Sequence, residues 1–461
     1  EGHKKIEERI EEAIGEISGL GSNEGSTSSS SDEDDDVEYV KWSGNIAEGF
    51  ASGDGASYET AYKIETPEQL AYLAKTVNEG NTYEGKYIQI TKSFDMANIN
   101  WTPIGGFGTQ EEEGKLASCG EEFRGYLDGN NNIIKNLTIK QTEEYEYRTN
   151  IGFVGYLGAN GQISNINIKN GNISGWSNVG GMVGYMNGTI IENCSYNGSV
   201  YCKYSSYYSG YIEGEDPQDG SGINAGGIAG TQKGGTIREC TNEGDIVAEK
   251  LQVGGIVGRQ VDGTIEGCRN EGKVTARYIQ EIAESNERYE EYAGRNAGGI
   301  AGWQKGGTIK DCINQGEIIA EKDKAGGING QQDGGTMEGC RNEGKVTTRY
   351  IQEIAESNEY YKENAGIVAG GIVGEQNDGM IKDCINKEEV LVERQQAGGI
   401  VGRQKGGTIE YCTNTGNVTA KYKEEVADSN ADYEKTAGAM SGGIVGRQED
   451  GTIKNCTNDG S

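Results

Sequence analysis

The chain has 461 residues, 76 of them Gly and only 3 Pro, with a mean hydropathy of −0.69. Its formal charge of −31, from 42 Lys and Arg against 73 Asp and Glu, argues against a phosphate-backbone binder, which presents clustered basic side chains. The single histidine, His3, stands in the leading tail, away from any His-based triad or His metal site, and no apolar run reaches the length of a membrane span. The chain shows no signal peptide and begins without Met, which reads as a mature or excised segment.

Residues 1–20 place Ile6, Ile10, Ala13, Ile17 and Leu20 at alternating steps of four and three, the spacing of a helix with a narrow apolar seam. It serves either as a docked cap helix or as a short coiled coil. Residues 21–57 form a Ser-rich and acidic linker and lead-in with little to bury. A cap region follows over 58–122. There Thr66-Pro67-Glu68-Gln69 supplies an N-cap, a Pro at the first helical position and a capping-box Gln. Leu70, Leu73, Ala74 and Val77 give the helix one apolar face, and Gly80 ends it. This helix is expected to cover the open first end of the repeats that occupy 123–461.

The repeats are dated by Gly pairs beginning at Gly180, Gly226, Gly254, Gly298, Gly326, Gly370, Gly398 and Gly442; from the second pair on, intervals of 28 and 44 residues alternate. A fixed short period in a Gly-rich chain predicts an all-β solenoid, whose coils stack equivalent residues about 4.8 Å apart. Three charge columns support the stacking. The residue after each Thr-Ile (or Met-Ile, Thr-Met) pair alternates in sign from Arg238 through Glu266, Lys310, Glu338, Lys382 and Glu410 to Lys454. The columns starting at Asp245 and at Glu249 alternate likewise, as outward pairs that set register. Two uncharged columns, Gln232 to Gln448 and Asn242 to Asn458, are expected to hydrogen-bond along the stack.

The recurring Cys, from Cys194 through Cys240 to Cys456, stands three residues after an Ile, where earlier turns hold Leu137 and Ile166, so it is expected to be a buried free thiol rather than a metal ligand. Cys119 and Cys202 lie off this column and either pair or stay free. The 16 residues added in every second coil lie within three related stretches, 277–294, 349–366 and 421–438; Tyr278, Ile282, Ser285 and Tyr289 fall on one face of a predicted helix, as do Tyr350, Ile354, Ser357 and Tyr361. An earlier insert, 201–222, is rich in Tyr and Gly and reads as an unrelated loop. The last unit stops at Ser461 before its final strand, which predicts either further chain or a docked partner at that end.

GGIVGRQ followed by GTIEYCTNTG, together with YKIETPEQLAYLAKTVNEG (62–80), WTPIGG (101–106) and FRGYLDGNNNIIKNLTI (123–139), resembles the GLUG repeats of bacterial surface and secreted proteins. The resemblance covers about residues 58–461. It implies a right-handed parallel β-helix, an extracellular or cell-surface setting and adhesin-like or scaffolding roles. Some members carry the repeats beside an immunoglobulin A peptidase domain, but the metal motif of that enzyme is missing here, so no protease activity carries over.

The functional expectation is a non-enzymatic adhesin or surface stalk without catalytic, cofactor or metal residues. Its partner is a protein or glycan on a host or neighbouring cell, not nucleic acid, met through the inserts; the candidate contact residues are Tyr289, Tyr292, Tyr360, Tyr361 and Tyr433. Two alternatives stand beside it: a β-helix polysaccharide lyase or hydrolase, which needs a local, unrepeated set of acids and bases, and a subunit of a head-to-tail filament. Ice binding fails because the Thr column, Thr236, Thr264, Thr308 and Thr336, gives one Thr per coil and is interrupted by Met380.

Overall fold

A computed structural model describes residues 37–106, 110–112, 115–116, 121–141, 150–204, 222–284, 286–421, 438 and 440–461. The expected helix over 1–20, the linker to residue 36, Cys119, most of the 201–222 insert, and the third insert with Tyr433 lie outside them.

The polypeptide winds as a parallel β-helix. Among the described residues, two sheets of nineteen strands and one of eight run the length of the coils, and the strands within them pair in parallel. One turn shows the path. Leu251–Gly254 lies in the eight-stranded sheet, Val257–Val261 and Thr264–Glu266 in one of the long sheets, and Arg269–Asn270 with Val274–Ala276 in the other. The next coil pairs in register, Gly254 with Gly298, Gln260 with Gln304, Glu266 with Lys310 and Asn270 with Asn314.

The Gly pair is fixed by space. A Cβ on Gly254 would overlap the Val257 carbonyl oxygen across the bend, and one on Gly255 would overlap the Asn270 side chain. Ile256, Val257, Ile265, Cys268, Val274 and Ala276 fill the interior of this coil and are at most 1% exposed. The same slots in neighbouring coils join one continuous core.

The amide columns behave as expected. Asn242, Asn270, Asn314, Asn342, Asn386, Asn414 and Asn458 form a ladder in which each Nδ2 donates to the next Oδ1 at 2.7–2.8 Å. Gln260 Nε2 donates to the Gly263 carbonyl at 3.3 Å and to the Thr308 carbonyl of the next coil at 3.2 Å. These bonds satisfy turn backbone that a narrow coil buries. The Cys column is interior and unoxidised. Cys340 donates to the Glu338 and Ile309 carbonyls at 3.4 and 3.6 Å, and burial pushes the Cys340 and Cys384 thiols well above the usual range. Cys202 is also a buried free thiol, in register with Ala248.

At the leading end, α1 (Pro67–Asn78) is capped by Thr66, which accepts from the Gln69 amide while Gln69 reaches back to the cap. Gly80 adopts φ +102 just beyond its end. Leu70, Leu73, Ala74 and Val77 join the core with Ile64, Ile88, Phe94 and Trp101. The folded stack starts earlier than the repeats do. Tyr39–Lys41, inside the stretch read as linker and lead-in, pairs with Ser93–Asp95, and Tyr87–Ile90 pairs with Tyr126–Asp128. These strands lack the repeat motif and its spacing but pair in parallel into the same two long sheets, so the cap region and the coils form continuous sheets.

A candidate partner-contact flank

The two described inserts each fold as a hairpin of short helices rather than one helix. In the first, α2 (Gln280–Ala283) is followed by α3 (Glu287–Tyr292); in the second, α4 (Gln352–Ala355) by α5 (Glu359–Asn364). The break comes from an Asn. Asn286 leaves the helical conformation and its side chain caps α3 by accepting from the Tyr289 amide at 2.8 Å; Asn358 does the same to Tyr361 at 2.7 Å. The Ser-Asn dipeptide was the available signal for this N-cap.

The break turns Tyr289 and Tyr361 inward, which removes them as direct contact residues: both are fully buried. Tyr289 donates its hydroxyl proton to the Glu249 carbonyl at 2.6 Å, and Tyr361 donates to the Glu321 carbonyl at 2.5 Å, so each pins its hairpin to the preceding coil. Tyr278 and Tyr350 are buried beside them in a second apolar cluster with Ala283, Ile354 and Ala355. The hairpins also stack on each other, with the Tyr278 and Tyr361 rings 4.6 Å apart and Asn358 Nδ2 donating to the Tyr278 hydroxyl at 3.1 Å. Tyr292 and Tyr360 remain partly exposed.

The earlier insert is related to the later ones by its anchors. Tyr204 occupies the place of Tyr278: its ring lies 4.7 Å from Tyr289, and Asn286 Nδ2 donates to its hydroxyl at 2.6 Å. A basic residue followed by Tyr, as in Lys203-Tyr204, Arg277-Tyr278 and Arg349-Tyr350, was the legible trace of this kinship.

In the intervening short coils the position after the third charge column holds a cation instead of Tyr: Lys250, Lys322 and Arg394, spaced by 72 residues. These residues were missed by the sequence reading. Lys322 Nζ donates to the Glu290 and Glu291 carbonyls at 2.5 and 3.0 Å and sits over the Tyr360 ring at 4.5 Å; Arg394 donates to the Lys362 and Glu363 carbonyls at 2.9 and 2.5 Å. A basic side chain thus closes the C-terminal end of each described hairpin by donating N–H to carbonyls that lack helical partners. Burial pushes Lys322 down to about 6.

The third charge column is correspondingly not an outward one. Glu249 is 1% exposed, accepts from the Tyr204 amide at 2.7 Å and from the Tyr201 hydroxyl, and has its pKa raised by burial. Glu321 and Glu393 accept from the Tyr278 and Tyr350 amides at 2.9 and 2.7 Å, so the acids of the short coils hold the first residue of each hairpin. What the hairpins turn to solvent is acidic. Glu281, Glu284, Glu287 and Glu291 recur 72 residues on as Glu353, Glu356, Glu359 and Glu363, all exposed. The columns on the sheets alternate in sign; those on the hairpins repeat it.

The GLUG motif matches residues 251–275, 393–419 and 437–461, so the chain carries GLUG repeats. Over 160 residues, 33% of this chain, it is 29% identical to Halomucin of Haloquadratum walsbyi, and spans 2% of that protein's length. A Bacteroides ovatus structure solved as a candidate immunoglobulin A1 protease aligns over 89% of this chain and 87% of its own, at 18% identity and a TM-score of 0.43. Among the described residues, no helix is long and apolar enough to cross a membrane.

Proposed function

We propose that the chain is a non-enzymatic extracellular or cell-surface stalk of the adhesin kind, whose β-helix is a rigid spacer and whose helical hairpins meet a protein or glycan partner along one flank. The observation that carries this reading is the hairpin array itself. The 28-residue coils close without inserts, yet each described insert is fastened by a capping Asn, two buried Tyr and a buried basic side chain. Such fastening gives a laterally presented surface a fixed geometry, which suits recognition more than it suits folding of the solenoid. The carboxylates on the sheet columns are engaged by cations, Glu266 with Lys310 at 3.0 Å and Glu317 with Lys273 at 3.1 Å. That arrangement favours a scaffold over hydrolytic or lyase chemistry, which needs an unrepeated acid and base in a groove.

The contact surface passes from the buried rings to Tyr292, Tyr360 and the glutamates around them. Deleting 278–293, 350–365 and 422–437 together should leave a β-rich, cooperatively melting protein. On glycan and matrix-protein arrays the full chain should bind and the trimmed chain should not. Equal binding by both would remove the flank from the function.

A further inference from the structure

The two described hairpins are closed by different bases. Arg394 holds the second with a guanidinium, which stays charged at any working pH. Lys322 holds the first with an amine, whose charge depends on its surroundings. Those surroundings exclude water, since Lys322 has no exposed surface. The first hairpin supplies the Glu290 and Glu291 carbonyls and the Tyr278 ring, 5.5 Å from Nζ, and the second lays Tyr360 over it at 4.5 Å. The solenoid forms the floor, where the Lys322 and Asp323 amides donate to the Gly294 carbonyl at 3.0 and 3.1 Å.

The charges facing Lys322 do not neutralise it. Among the described residues, no carboxylate comes within ion-pair distance of its Nζ. Glu290 and Glu291 on the hairpin and Asp323 in its own coil attract it from further off, while Arg295, in register with Asp323 one coil earlier, repels it. Glu321, the residue before it, is engaged by the Tyr278 amide at 2.9 Å. Carbonyl and ring dipoles do not replace the hydration that an ammonium has in water, so the enclosed amine is held neutral near pH 7. Water reaches it when the last turn of the hairpin lifts, because that turn covers it. We propose that Lys322 is an acid-sensitive latch: the neutral amine keeps residues 290–294 shut against the solenoid, and its protonation releases them while the second hairpin stays shut on Arg394. The latch acts on the hairpin whether or not the flank meets a partner.

Opening exposes an amine that binds a proton at its ordinary value of 10.5, against about 6 when enclosed, so opening takes up a proton throughout that interval. The opening constant therefore rises about tenfold for each unit by which the pH falls, and levels off below about 6. Hydrogen exchange in the intact chain reads both hairpins side by side. The Ala293 and Ala365 amides are equivalent reporters, donating to the Tyr289 and Tyr361 carbonyls at 2.8 Å each. With intrinsic exchange rates divided out, the opening constant at Ala293 should rise about fifty-fold from pH 8 to pH 6 and less than about twofold more by pH 5, with Ala365 level across the range. Lys322→Arg, which copies the base of the second hairpin, should make Ala293 level too. That variant leaves Glu249, a buried carboxyl at the foot of the same hairpin, in place, so a lost pH dependence belongs to Lys322. Should the variant not fold, titration of the Lys322 Nζ resonance in the unaltered chain decides, with a midpoint of about 6 expected. A level Ala293 in the unaltered chain, a rise shared by Ala365, a rise that persists in Lys322→Arg, or an Nζ still charged at about pH 9 would each overturn the latch.

Discussion

Asn329 occupies an interior slot that holds Ala301 in the coil before and Val373 in the coil after, and both its amide atoms are buried without hydrogen-bond partners. Its replacement by Val removes two unsatisfied groups and keeps the side-chain volume. Asn329→Val should therefore stabilise the protein by about 1–3 kcal/mol, seen as a higher urea midpoint. An unchanged or lower midpoint would mean that ordered water already pairs that amide. The departure is visible in the sequence as GGINGQQ against GGIVGRQ, but its cost became legible once the coil placed that position inside. The Cys slot was readable in advance because Leu137 and Ile166 occupy it. Glu375 shows the opposite case, a buried charge with more partners than it needs. It is 1% exposed and meets Lys324, Arg403 and Lys405 at 2.9, 3.0 and 3.2 Å. Burial alone would raise its pKa, but these cations outweigh it and hold the carboxyl at about 2. Because the folded value lies below the unfolded one, the unfolded chain binds the proton first as pH falls. The stabilisation is complete above pH 4.5 and is lost between there and about 2, to the order of 3 kcal/mol. In Glu375→Gln that part of the acid limb should be flat, and stability at pH 7 should drop because the largely buried Lys324 loses its carboxylate and keeps only the Gln331 side-chain oxygen.

At the scale of the element, the hairpins were legible as helical by spacing but not as two helices, since apolar periodicity passes through Ser285 and Ser357 without a sign of the break. The periodicity also could not tell a ring that faces a partner from one that faces the solenoid. Tyr289 and Tyr361 went inward because the preceding coil offers each a backbone carbonyl at hydroxyl reach. The buried cations were harder still, because Lys322 and Arg394 lie in other coils, and their target carbonyls exist only once the hairpins have closed. Arg394 is the better one to test, as its guanidinium stays charged at any working pH. Arg394→Leu leaves the Lys362 and Glu363 carbonyls without that donor, a loss of about 2 kcal/mol for bonds from a charged group. Amide exchange across 359–366 should accelerate while the solenoid strands and the overall melting temperature change little. Unchanged exchange would show that Tyr361 and the apolar contacts hold the hairpin by themselves.

For the whole molecule, the repeat is two coils long. A 28-residue turn and a 44-residue turn make a unit of 72, which carries one hairpin, one buried cation and one full cycle of charge. The alternating columns and the alternating inserts therefore have a common cause: shifting the stack by one coil would bring like charges together on every column and set a hairpin where a cation belongs. The sequence carried this register because charge sign is a property of single residues and needs no geometry to read. The paired coils place Glu338 between Lys310 and Lys382, with Lys382 Nζ 3.7 Å from its carboxylate. Glu338→Lys sets three cations in succession about 4.8 Å apart, whereas Glu338→Gln merely removes the attraction. All three positions are partly exposed, so the effect is screened and modest. The Lys variant should melt below the Gln variant by about 0.5–2 kcal/mol equivalent at low salt, and the two should converge as ionic strength shortens the screening length to a few Å. Two variants that melt alike at low salt would show that the amide ladders and the core set the register, with the charge columns contributing nothing to the order of the coils.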